Sequence, residues 1–299
     1  MTDAKPVSMT GVMRASSARE KNTEAWHGYV ERLATTGPQH TPPPPLRAMA
    51  EELGRRCLAL LFTQFAREVR VSARDVRAEA EALETLLRDI LELVVPAERA
   101  NVVAAEFLNQ LPHVHDALED DAMAILAGDP AAASRDEVIQ AYPGFLATAV
   151  HRLAHELYVR DVPVLPRLVS EWSHRETGID IHPGAVIGRS FAVDHGTGVV
   201  IGESSVIGSG VRIYQGVTLG ALAVSKKLAN KKRHPTIGND VVIYANATIL
   251  GGTTEIGDGT IIGGNVWLTH SVPPRSIVQF NSRVEQRSAD VDDGMEFHI

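Results

Sequence analysis

The chain has 299 residues, 44% of them hydrophobic, and a net charge of −8 from 29 basic and 37 acidic side chains; this is room for about two packed domains and argues against a general nucleic-acid binder. Cys57 is the single cysteine, so no internal disulfide forms and a reducing compartment is the default. No apolar run approaches the ~18 residues of a membrane span, and the opening stretch MTDAKPVSMTGVMRASSARE lacks the apolar segment of a signal peptide, so a soluble cytoplasmic protein is expected.

Taken in order, residues 1–45 are expected to be poorly ordered, ending in a stiff polyproline run, Thr41-Pro42-Pro43-Pro44-Pro45. Residues 46–176 read as an α-helical domain. Leu58, Leu61, Phe62 and Phe65 recur at helical spacing, and Val76, Leu83, Leu86, Leu87, Ile90 and Leu93 share one face of a helix over 73–94. A helix over 97–111 is expected to stop at Pro112, with another over 114–126. Asp129-Pro130 breaks the run, Tyr142-Pro143-Gly144 punctuates it again, and helices over 145–158 and 165–174 follow. His151 and His155 have the spacing of a zinc pair, but without an adjacent Glu or an obvious third ligand they read as helix packing.

From residue 177 to 279 the pattern changes to a six-residue beat. Ile181, Ile187 and Val193 are followed, after a two-residue slip, by Ile201, Ile207, Ile213 and Leu219; the beat resumes at Ile237, Ile243 and Ile249 and, after one further slip, at Ile256, Ile262 and Leu268. A period of six fits neither a helix nor a hairpin sheet but a parallel β-helix, three hexads to a coil, with one aliphatic side chain per short strand packed inward. The fold class is therefore α+β, an all-α domain ahead of a β-helix of hexapeptide repeats. A loop over 220–236 interrupts the coils, and its Lys226, Lys227, Lys231, Lys232 and Arg233 suit an anionic, phosphorylated ligand. The tail 280–299 is polar and expected to be flexible.

Asp194-His195-Gly196-Thr197-Gly198 breaks the aliphatic rhythm with a charged pair and two glycines. Asp180 lies fifteen residues before His195, near one coil's length, so contact between them is expected. An Asp beside a His fixes its tautomer and raises its basicity, and a His so held can take a proton from a hydroxyl. Arg233-His234-Pro235, where the basic loop re-enters the coil, offers a cation for a carboxylate.

A helical domain ahead of hexapeptide coils resembles bacterial serine O-acetyltransferase, as do Asp180-Ile181-His182-Pro183, Val193-Asp194-His195-Gly196-Thr197-Gly198, Gln215-Gly216-Val217-Thr218-Leu219-Gly220 and Arg233-His234-Pro235. The resemblance covers roughly residues 51–278. It implies a left-handed β-helix and acetyl transfer from acetyl-CoA, a co-substrate rather than a resident cofactor, to L-serine, the first step of cysteine biosynthesis. It makes His195 the general base and Asp180 its orienting partner. Asp129 and Asp194 would bind the substrate ammonium, Arg233 and His234 its carboxylate, and Gly220 and Lys232 the CoA; no metal is implied. It further implies a homotrimer or dimer of trimers with sites between subunits, inhibition by cysteine, and docking of Ile299 into O-acetylserine sulfhydrylase. The loop 220–232 is longer and more basic than in the best-known enterobacterial forms.

Three rivals are separable. An acceptor such as homoserine differs from serine by one methylene, worth about 1–3 kcal/mol, whereas a sugar would not need Asp129, Asp194 and Arg233. A scaffold that only docks a partner would not need Asp180 and His195. A metal solenoid of the gamma-carbonic-anhydrase kind would use His182, His195 and His234 as ligands.

Overall fold

The computed structural model describes residues 26–32, 46–66, 72–222 and 231–281. Residues 26–32 form a short helix, α1, on which the rings of Trp26 and Tyr29 lie 6.0 Å apart. The remainder of the N-terminal segment 1–45 with its polyproline run, residues 223–230 of the basic loop, and the tail from 282 to Ile299 lie outside the described residues.

The helical part comprises α2 (Leu46–Leu61), α3 (Ala73–Glu92), α4 (Ala97–Gly128), α5 (Arg135–Ala141), α6 (Pro143–Tyr158) and α7 (Leu165–Thr177). α3 starts on a reciprocal cap: the Asp75 N–H donates to Ser72 Oγ (3.3 Å), and the Ser72 N–H donates to the Asp75 carboxylate (3.0 Å). α4 corrects the expected stop at Pro112, since one helix of 32 residues runs through it. A proline inside a helix costs about 3 kcal/mol. Here Val103, Phe107, Leu111, Val114, Leu118 and Ile125 form one buried stripe across it, and each large apolar side chain contributes roughly 1.5–3 kcal/mol. The local rule loses to the packing. Phe62, Phe107 and Phe145 fill the centre of this core, with the Phe62 and Phe145 rings edge to face at 5.5 Å. Among the described residues, no helix is long and apolar enough to cross a membrane.

α7 ends at Gly178 in the left-handed region (φ +70°), and the described residues beyond it form fourteen short strands. They stack into three parallel sheets, the faces of a triangular prism. Face A carries β1 (Asp180–Ile181), β4 (Val200–Ile201), β7 (Thr218–Gly220), β10 (Thr248–Leu250) and β13 (Trp267–Leu268). Face B carries β2 (Val186–Ile187), β5 (Val206–Ile207), β8 (Thr236–Ile237) and β11 (Glu255–Ile256). Face C carries β3 (Ala192–Val193), β6 (Arg212–Ile213), β9 (Val242–Ile243), β12 (Ile261–Ile262) and β14 (Ile277–Val278).

The register explains the beat. Ile181, Ile201, Leu219, Ile249 and Leu268 stack inside face A, and Val193, Ile213, Ile243 and Ile262 inside face C. These residues are almost wholly buried, so each coil adds one layer to a continuous aliphatic column. The slips of the beat fall at prism edges, where extra residues bulge outward without disturbing the column.

The helices sit on the first coils through a buried ion pair. The Arg152 guanidinium holds both carboxylate oxygens of Asp121 (2.7 and 2.9 Å) and donates to the Ile187 and Gly188 carbonyls, while the Phe191 N–H donates to Asp121 (2.8 Å). Burial pushes the Asp121 carboxyl upward and Arg152 opposes it. Ala147 of α6 packs into the β-helix core and Ala192 of β3 into the helical core, so the two cores interlock.

Candidate active site

The first slip of the beat builds one half of the site. The edge between β3 and β4 spans residues 194–199, two more than the edge over 214–217 one coil later. The surplus is His195-Gly196, directly after Asp194. His195 is forced into the left-handed region (φ +56°) beside Gly196 (φ +79°), a conformation that costs a non-glycine residue about 1 kcal/mol or more. Gly178, Gly198 and Gly216 take up the ordinary left-handed corner positions, so His195 adopts its conformation because of the bulge. Its side chain is 72% exposed, and Nε2 lies 3.9 Å from the Asp194 carboxylate, which is only 14% exposed.

The end of α4 comes down on this bulge. Asp129 caps α4, and its carboxylate accepts the Ala131 N–H (2.8 Å) and the Tyr142 hydroxyl (2.6 Å). The Tyr142 bond, then that of Ala131, then the fields of His195 and Arg212 hold the Asp129 carboxyl below its ordinary value. The same bond pushes the Tyr142 hydroxyl up to about 12. Close approach is allowed by Gly144, where a side-chain carbon would sit 2.0 Å from the Val193 carbonyl oxygen. Asp129, Tyr142, Asp194 and His195 thus make one cluster: two carboxylates beside an imidazole.

The next edge, between faces A and B, carries the other half. The Arg233 guanidinium meets Glu203, which also accepts the Tyr158 hydroxyl (2.8 Å). Burial alone would raise the Glu203 carboxyl; Tyr158 and Arg233 outweigh it and hold it below its ordinary value. The His234 Nδ1 accepts the Ser204 N–H (3.1 Å), leaving Nε2 as the donor, and Ser204 Oγ accepts the N–H groups of Arg233 (2.9 Å) and His234 (3.1 Å). Burial, then Arg233, lowers the His234 pKa. One coil earlier His182 Nδ1 accepts the Gly184 N–H (3.0 Å), and burial pushes its pKa down to about 4. The Lys232 ammonium donates to the Ser204 and His234 carbonyls (both 2.9 Å), so it ties the re-entering loop to the coil. Gly220 closes β7 where the loop departs.

Face A separates the two edges. One chain brings Asp129, Asp194 and His195 together, and brings Arg233 and His234 together, but not the two groups to each other. Asp180 sits on face A with its carboxylate within 4.8 Å of ligand atoms of Glu171 and His174. Among the described residues no hydrogen bond or ion pair joins Asp180 to His195. Tyr142, Glu203, Tyr158 and Ser204 were not singled out in the sequence. The signal for Tyr142 was the following proline, which holds its backbone extended (φ −85°, ψ 119°) at the start of α6.

A prism of hexapeptide coils with an imidazole bulged from one edge, beneath an acidic helix cap, defines a transferase of the hexapeptide-repeat class. No family model matches the chain. It is 50% identical over 205 residues to a plasmid-encoded serine acetyltransferase of Synechococcus elongatus, covering 67% of this chain and 63% of that one. It is 48% identical over 161 residues to the serine acetyltransferase of Bacillus subtilis, covering 54% of this chain and 72% of that one. Among solved structures it is similar to serine acetyltransferase isoform 3 of Entamoeba histolytica in complex with cysteine, with a TM-score of 0.73 and 32% identity over 82% of this chain and 96% of that one. The chain belongs to the serine acetyltransferase family, and its coils are a left-handed parallel β-helix.

Proposed function

We propose that the protein transfers the acetyl group of acetyl-CoA to the hydroxyl of L-serine, giving O-acetyl-L-serine and CoA. The observation that carries this reading is the bulged His195 set beside Asp194 and beneath Asp129. The two carboxylates take the serine ammonium, which places its hydroxyl at the imidazole. His195 removes the Oγ proton as that oxygen attacks the thioester carbonyl. The C–S bond breaks as the tetrahedral centre collapses, and the CoA sulfur recovers the proton from the imidazolium. Cys57 is fully buried with its thiol pushed up to about 12, so an acyl-enzyme on it is disfavoured and direct transfer is the mechanism we adopt.

The serine carboxylate is bound by Arg233 and the Nε2–H of His234. Because these lie on a different edge of the prism, we place the complete site between two copies, one giving its His195 edge and the other its Arg233 edge. Three copies around an axis close such head-to-tail contacts into a ring, a homotrimer. We assign Asp180 the orienting of His195 in the assembled site. Gly220 and Lys232 frame the loop that contacts CoA. Cysteine, with the ammonium and carboxylate of serine, competes at the same position. Ile299 docks the sulfhydrylase that consumes the product; a chain lacking Ile299 that binds that enzyme as well as the full chain does would remove this assignment.

The test is release of free CoA thiol from acetyl-CoA with L-serine, with L-homoserine and with no acceptor. Serine-dependent release supports the reading. Release with homoserine alone changes the acceptor, and no release with either removes the activity.

A further inference from the structure

α4 ends without a cation of its own: its last turn carries no basic residue. The cation comes from another element. Arg212, half-buried on the outward side of β6, donates from its guanidinium to the Ala124 carbonyl (3.0 Å). Its planar head lies flat over Gly128, where a side-chain carbon would fall 1.3–1.6 Å from the guanidinium atoms. On the ladder of face C its neighbour is Ala192, small enough for the helices to settle on the sheet, so the long Arg side chain is the one that reaches up to the helix end. The next residue after Gly128 is Asp129.

We infer that Arg212 is a positioning residue for the acceptor amino acid: by capping the last turn of α4 it fixes Asp129 over the His195 bulge. The inference rests on the function proposed above. A cation is favourable at a helix C-terminus, and a guanidinium seated on a glycine also sets the height of that terminus above the sheet. Tyr142 and the Ala131 N–H orient the Asp129 carboxylate, whereas Arg212 locates the backbone that carries it. Arg212 touches no reacting atom in this scheme, so its loss is felt in acceptor binding rather than in the chemical step.

The experiment compares the full chain with Arg212→Met, Arg212→Lys and Gly128→Ala. Hydrogen exchange is followed in the peptides spanning residues 124–132, beside KM for serine, KM for acetyl-CoA and kcat. For Arg212→Met we expect faster exchange confined to the α4 end and a serine KM raised about tenfold, the scale of one charge-assisted hydrogen bond. kcat and the acetyl-CoA KM stay within about twofold. Arg212→Lys recovers part of the loss, and Gly128→Ala, which displaces the guanidinium while keeping its charge, moves both readouts in the same direction as Arg212→Met. Unchanged exchange at the α4 end overturns the inference whether or not the protein turns over serine. So does a wild-type serine KM in Arg212→Met, or a loss shared equally by kcat and both KM values. Wild-type chain inactive toward serine, with the exchange result as expected, instead removes the proposed function and leaves Arg212 as a structural cap. If Arg212→Met does not fold, Arg212→Lys and Gly128→Ala decide.

Discussion

The two edges that carry polar chemistry are built on opposite plans. On the edge between faces A and B the charged groups are tied down: Arg233 by Glu203, Glu203 by Tyr158, His234 by Ser204, and Lys232 by two carbonyls. On the edge between faces C and A, His195 stands exposed on a left-handed backbone with Asp194 3.9 Å away. A knitted edge can recognise a fixed shape. A bulged edge leaves a base free to move a proton, and it does so without cost to the aliphatic column beneath it. Three substitutions and a pH titration probe that contrast.

The largest effect belongs to the bulge. His195→Ala is expected to lower kcat by about 10²–10⁴, the range for loss of a general base, with thermal stability nearly unchanged because the side chain is exposed and Ala keeps the Cβ on the left-handed backbone. Thiol release and a melting curve on one sample check both halves; a large fall in Tm would mean that His195 is structural. Next is Arg152→Met at the seat of the helices. Leaving Asp121 buried without its partner should cost about 3–5 kcal/mol in denaturant unfolding, and it should spare neither edge. Glu203→Gln acts on the knitted edge alone. It uncouples Arg233 from Tyr158 and should raise the serine KM by roughly tenfold, with about 1–3 kcal/mol lost in stability.

The smallest effect is in pH. The folded-state pKa values of His182, His234 and the buried His151 are all lowered, His182 to about 4. These imidazoles are neutral in the fold, so stability present above the ordinary value of 6.5 is lost as pH falls from there through the folded values. Tm should drop by several degrees between pH 6.5 and pH 4, with His182→Gln flattening part of the slope.

Much of this was legible because a β-helix must repeat: each face needs one inward aliphatic residue per coil, so the column from Ile181 to Leu268 is written in the spacing. The break at Asp194-His195 was equally plain, since a slip in a strict rhythm has nothing to pack against. Direction was not legible. Coil arithmetic put Asp180 near His195 in register, but a strand residue next to inward Ile181 points outward, and the Asp180 carboxylate gathers with Glu171 and His174. Pro112 read as a stop because the local rule is strong and the stripe that overrides it is a tertiary fact. Lys232 read as a phosphate ligand from the charge of its neighbours, yet its ammonium is spent on two carbonyls. Arg212 left no mark at all, because one arginine at an outward strand position looks like solvated surface until the end of α4 is laid over it.

The central claim is that catalysis needs both edges and that they come from different copies. Its most direct test is activity in chains co-expressed as His195→Ala and Arg233→Ala. Each variant alone should be nearly inactive with serine. Mixed assemblies should recover activity, since random pairing in a ring leaves about a quarter of the sites with an intact edge from each neighbour. No recovery in mixed assemblies verified to contain both chains would contradict the account and return the site to a single copy.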